Sequence, residues 1–150
     1  MKYLKQGDIR WGSTIIGNSG HTLASAGCNI TDCSMITDFF GDWKDPKWMA
    51  DNLEFTPGGL LIWSSLRAKT NIHLEEAFVG NYREDKILEG INDPNKASIL
   101  EIHNGWHFVL AVKKLPFLKH YIIIDPISGT KTTTLLKGYQ VTGSRLIAKN

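Results

Sequence analysis

Ala26-Gly27-Cys28-Asn29-Ile30-Thr31-Asp32-Cys33-Ser34-Met35-Ile36 is the stretch from which the rest of the chain is read. From Cys28 to Phe40 the apolar side chains are Ile30, Cys33, Met35, Ile36, Phe39 and Phe40. Ile30, Cys33, Ile36 and Phe40 recur at helical steps, and Met35 and Phe39 widen the stripe. The spacing therefore predicts an amphipathic helix that opens at Cys28 and ends at Gly41. A cysteine in that first turn sits among unpaired backbone N–H groups at the positive end of the helix dipole. The position favours the thiolate, the nucleophilic form of the side chain. Gly27 would leave room for a substrate backbone to come close. The same residues also suit a core helix with a small apolar side chain in its first turn.

The remaining composition bounds the possibilities. A length of 150 residues suits one domain, and 42% apolar content can supply a core. The net charge of +2, without a Lys/Arg run, gives no footprint for nucleic acid. The two cysteines, Cys28 and Cys33, are five residues apart on one helix. They face about 140° apart, which argues against a disulfide, and zinc sites need closer spacing and more ligands. Met1 to Asp8 has no apolar core of a signal peptide, and no apolar run reaches membrane-spanning length. The expectation is a chain that is cytoplasmic as made, reaching the outside through lysis or a phage particle.

Helix signals fill the first part of the chain. Asp45-Pro46 caps a short helix through Leu53, and Thr56-Pro57-Gly58-Gly59 opens another that runs to about Lys69. A shorter helix covers Arg83 to Glu89 and is ended by Gly90. Strand texture follows at Ser98–Ile102, His107–Val112, Tyr121–Ile124, Lys131–Leu136 and Val141–Ala148, with a turn at Asn104-Gly105. Helices first and strands second predict an α+β domain spanning residues 1–150, with an antiparallel sheet packed on the Cys28 helix.

A nucleophilic cysteine needs a base, a group that orients the base, and donors for an oxyanion. The candidate bases are His21, His73, His103, His107 and His120. A hairpin centred near Pro116 puts His107 opposite Asp125, within one or two residues of register. A carboxylate there can hold one ring nitrogen and leave the other free. His103 and His107 also form H-x-x-x-H, but a turn interrupts it and no third metal ligand is evident. Gln6 is a candidate oxyanion donor, because a neutral amide donates without changing the charge of the site; it also suits a polar loop. Asp8, Asp32 and Asp38 read as solvated or capping groups. Trp43, Trp48 and Trp63 read as core more than cleft.

Four motifs in order, Gln6-x-Asp8-x-Arg10-Trp11, Ala26-Gly27-Cys28-x-x-Thr31, Trp106-His107-Phe108-Val109 and Ile124-Asp125-Pro126-x-x-Gly129, resemble the papain-like cysteine peptidases. Within them the pattern is most similar to the bacteriocin-leader (double-glycine) peptidase family. The resemblance implies Cys28 as nucleophile, His107 as general base and acid, Asp125 as its orienter and Gln6 as an oxyanion donor. It implies a helical half carrying the cysteine and a sheet half carrying the histidine, with the cleft between them. No cofactor is implied. Leader-processing members are fused to a transporter and an ATPase that this sequence lacks, so the expectation is a stand-alone bacterial or phage relative. Its substrate would be a peptide, a protein or a peptidoglycan stem peptide. A catalytically silent peptide binder, a cell-wall amidase and a thiol acyltransferase are the alternatives on the same fold.

Overall fold

The cysteine-bearing helix is the element the molecule packs around. In the computed structural model, which describes all 150 residues, the helices are α1 (Leu23–Ala26), α2 (Cys28–Phe39), α3 (Pro46–Asn52), α4 (Trp63–Lys69), α5 (Glu84–Asn92) and α6 (Thr134–Lys137). The strands are β1 (Ile72–Phe78), β2 (Lys96–Ile102), β3 (His107–Lys114), β4 (Tyr121–Asp125), β5 (Thr130–Thr133) and β6 (Val141–Lys149). They form one antiparallel sheet in the order β1-β6-β2-β3-β4-β5.

α2 is not a surface helix with one buried stripe. It lies between β3 and α3, and its polar residues Thr31, Asp32, Ser34 and Thr37 are as buried as Ile36. Two of these have local partners: Ser34 Oγ donates to the Lys44 carbonyl at 2.6 Å and Thr37 Oγ1 to the Ser34 carbonyl at 2.8 Å. Ile30, Cys33 and Ile36 share one core with Ile99, Leu110, Ile124 and Ile147 from the sheet. Cys33 is buried and unpaired, and burial pushes its thiol well above the ordinary range. Ile87 of α5 joins a second core with Leu100, Val109 and Ile123 on the opposite sheet face. Covering both faces explains why β2 and β3 read as nearly continuous apolar runs.

Local capping signals behave as expected at α3, where Asp45 accepts from the Trp48 N–H at 2.7 Å and Pro46 occupies the first turn. Other segments differ. α4 opens at Trp63, because Leu61 bridges back to Phe55 and holds the preceding residues extended. Gly90 lies inside α5, where a Cβ would overlap Ser98 Oγ and the Ala97 backbone, so it permits close packing and does not end the helix. The strand expected to run to Leu136 stops at Thr133, whose side chain accepts from Leu136 N–H and starts α6. β1 and α1 were not expected from the pattern. β1 is an edge strand whose Glu75, Glu76 and Ala77 face solvent, so it lacks an apolar alternation.

Candidate functional site

The first turn of α2 opens onto a cleft of about 760 Å³ whose lining includes Gln6, Cys28, Asn29, Trp63, His107 and Tyr139. Helical half and sheet half each contribute one wall. No Asp or Glu side chain lines the cleft, while His21, His103 and Arg145 do. Trp106 stands at its rim almost fully exposed.

Gly27 precedes Cys28, but for a different reason from substrate access. A Cβ there would stand 2.5 Å from the Leu23 carbonyl and 2.8 Å from its Cδ2. The glycine lets α1 run directly into α2, and that junction sets where the cysteine emerges.

His107 begins β3 and Asp125 ends β4. The Nε2–H of His107 donates to Asp125 Oδ1 at 2.8 Å. The pairing is not between directly opposed residues. Leu110 pairs with Ile124 and Ala111 with Ile123, so the ladder leads toward Val109 opposite Asp125, and His107 reaches the carboxylate diagonally. The expected register is displaced because the hairpin closes between Phe117 and Leu118, beyond Pro116, with Lys114 opposite Tyr121; the bulge between Ala111 and Lys113 then recovers one residue.

Asp125 is held by three donors: His107, the Ile127 N–H at 2.9 Å and the Tyr139 hydroxyl at 3.0 Å. Burial raises its carboxyl, but these bonds outweigh burial and keep it below the usual carboxylate range. For His107, burial lowers the affinity for a proton. Asp125 and the neighbouring Cys28 more than reverse this and raise it to about 9. The ring is therefore an imidazolium at neutral pH, with Nδ1 left for the cleft. Cys28 lies close enough to act on that ring, and both side chains line the cleft.

Gln6 is 7% exposed and is fastened at both ends. Its backbone N–H donates to the Pro126 carbonyl at 2.7 Å, and its Nε2 donates to the Ala24 carbonyl at 2.9 Å. Trp11 supports this loop from beneath, being 3% exposed with its ring N–H on the Lys5 carbonyl at 2.9 Å. Asp8 pairs with Arg10 and Asp38 with Lys2 near the surface. Asp32 is the correction: it is neither solvated nor a cap, but has no exposed surface and no partner on either oxygen.

Among known structures, the N-terminal peptidase C39-like domain of the toxin secretion ATP-binding protein from Vibrio parahaemolyticus superimposes with a TM-score of 0.58. The chain has the fold of a peptidase C39-like domain. The match covers 82% of this chain and 97% of that domain at 15% sequence identity, a level that speaks for the fold alone. No protein-family model and no curated protein matches the chain.

Tyr139 is the member of this group that the sequence reading omits. It lies in the connection between α6 and β6, where neither periodicity nor a motif marks it. It holds the second carboxylate oxygen and sets its ring edge against His103 at 4.7 Å between centroids. Burial, then the adjacent carboxylate, push its hydroxyl up to about 12, so it stays a donor. His73 bonds Asn150 and His120 bonds Thr134, both outside this cleft. No group of three His, Cys, Asp or Glu side chains is arranged to hold a metal, and no helix is long and apolar enough to cross a membrane.

Proposed function

We propose that this protein is a cysteine peptidase or a closely related amide hydrolase, acting through a Cys28–His107–Asp125 relay with Gln6 beside it. The observation that carries this reading is the 2.8 Å His107–Asp125 bond at the mouth of a cleft into which the first turn of α2 delivers Cys28. A buried imidazolium facing a thiol at a helix N-terminus is the ground state of a thiolate nucleophile. Cys28 Sγ attacks the carbonyl carbon of the scissile amide, and the carbonyl electrons move onto oxygen. The Cys28 backbone N–H and the free N–H of Gln6 Nε2 receive that oxyanion. His107 gives its Nδ1 proton to the leaving amine as the C–N bond breaks, which leaves an acyl-thioester. His107 then takes a proton from water, and the resulting hydroxide adds to the thioester and expels Cys28.

Asp125 and Tyr139 hold the ring in the tautomer this sequence requires. The cleft can hold several residues of an extended chain. A peptide, a protein or a peptidoglycan stem peptide are the substrate classes proposed, and a bacterial or phage origin goes with them. The test is hydrolysis of peptide libraries and purified peptidoglycan, with mass spectrometry of quenched reactions. A thioester adduct on Cys28 that is absent from C28A supports the mechanism. A Cys28 inert to iodoacetamide, with no turnover on any of these substrates, would instead indicate a peptide-binding domain.

A further inference from the structure

The mechanism leaves unused a buried carboxyl group without a partner. Asp32 follows Cys28 by one helical turn, is 0% exposed and has no hydrogen-bond partner on Oδ1 or Oδ2. A carboxylate without a single donor is untenable in an interior, and such a group keeps its proton instead. Its surroundings agree: burial, followed by the charges of Cys28 and Asp125, raises it well above the usual carboxylate range. As a neutral acid Asp32 has one O–H to give and needs an acceptor.

Gln6 presents one. Its Oε1 is buried and unpartnered, although its Nε2 is bonded to Ala24. The path of the chain runs past both side chains. Cys28, Asp32 and Met35 lie along one face of α2. The Leu4 N–H meets Met35 Sδ at 3.4 Å, one helical turn from Asp32, and Gln6 follows two residues later. Gln6 then spans from Pro126, next to Asp125, to Ala24, just before Cys28. Asp32 feels the charges of Cys28 and Asp125, the residues beside those two places. The other unpaired oxygens on this helix fit less well, since Thr31 carries its own proton and Asn29 lines the cleft.

We propose that Asp32 is a positioning residue whose carboxylic acid O–H donates to Gln6 Oε1, locking the amide so that its second N–H faces the oxyanion. The inference rests on the hydrolase reading for its effect on rate, though not for the bond itself. With Oε1 bonded, the amide cannot rotate about its last torsion, and the bond polarises the N–H that serves the cleft.

Two readouts test it on the full chain. In a carboxyl 13C NMR experiment Asp32 should be protonated at neutral pH, and its signal and the Gln6 side-chain amide signals should move in Q6A and D32L respectively. In hydrolysis, D32L should lower kcat roughly tenfold, the worth of one hydrogen bond, with KM and the iodoacetamide labelling rate of Cys28 unchanged. D32N, whose amide can still donate, should stay within about threefold of wild type. In the Q6A background D32L should cost nothing further, because Asp32 acts only through Gln6. An ionised Asp32, an equal penalty in both backgrounds, or slowed labelling in D32L would overturn the proposal. Should D32L not fold, the Asp32 carboxyl signal in Q6A decides alone. Absence of any turnover in the wild-type protein would refute the hydrolase reading, while the NMR arm still decides the bond.

Discussion

Replacing Asp125 by Asn is the sharpest perturbation of the candidate site. Asn keeps an oxygen for His107 and for the Ile127 N–H, and the Tyr139 hydroxyl can turn to accept, so the shape is retained and the charge is lost. Charge centres held by a 2.8 Å bond interact by about 4 kcal/mol at an effective dielectric of about 20. The rise of His107 to about 9 corresponds to a net of about 3 kcal/mol, since burial opposes it. Without the carboxylate, burial and the Cys28 contribution remain, and the ring should titrate well below 9. His107 is 8% exposed, so little of this is screened by solvent. The folded-state value lies above the unfolded one, so the stabilisation is complete below about pH 6.5 and disappears as pH rises toward 9. On the acid side it also fades, as Asp125 takes up its proton below the ordinary carboxylate range. Histidine-ring NMR titration should show the drop. Urea unfolding should show D125N less stable by about 1–2 kcal/mol at pH 6, the Asp125 share of that net, with the gap closing by pH 9. A His107 titration point unchanged to within half a unit would refute the electrostatic account.

Other outcomes follow from particular contacts. Q6A should lower turnover by roughly 100-fold and leave iodoacetamide labelling of Cys28 alone, because the amide serves the oxyanion and not the thiol. H107A should slow both hydrolysis and labelling at neutral pH, whereas H103A should leave labelling unchanged; the opposite pattern would assign the base to the wrong histidine. G90A should destabilise the fold by about 2 kcal/mol or more in chemical denaturation, since its Cβ meets Ser98 and the Ala97 backbone. D32N should stabilise the protein above about pH 4, where the unfolded chain ionises Asp32 and the folded chain does not, and unfolding at pH 7 measures the gain.

Features governed by neighbours along the chain were legible in the sequence. Asp45-Pro46 caps its helix through its own backbone, Asn104-Gly105 turns because these residues tolerate positive φ, and Cys28 opens a helix because apolar residues recur behind it. His107 and Asp125 were paired by hairpin arithmetic although the register was displaced, because a long side chain spans a diagonal as well as a direct pair. What depends on packing between distant segments was decided only in three dimensions. Gly27 and Gly90 are required by Leu23 and Ser98, which local turn rules do not see. β1 is a strand because β6 offers it a ladder, despite its charged sequence. Tyr139 and Asp32 enter the site for the same reason. A tyrosine in a connection and an aspartate on a helix are ordinary surface residues by composition, and only the closing of the sheet over α2 brings the Tyr139 hydroxyl to Asp125 and removes Asp32 from water.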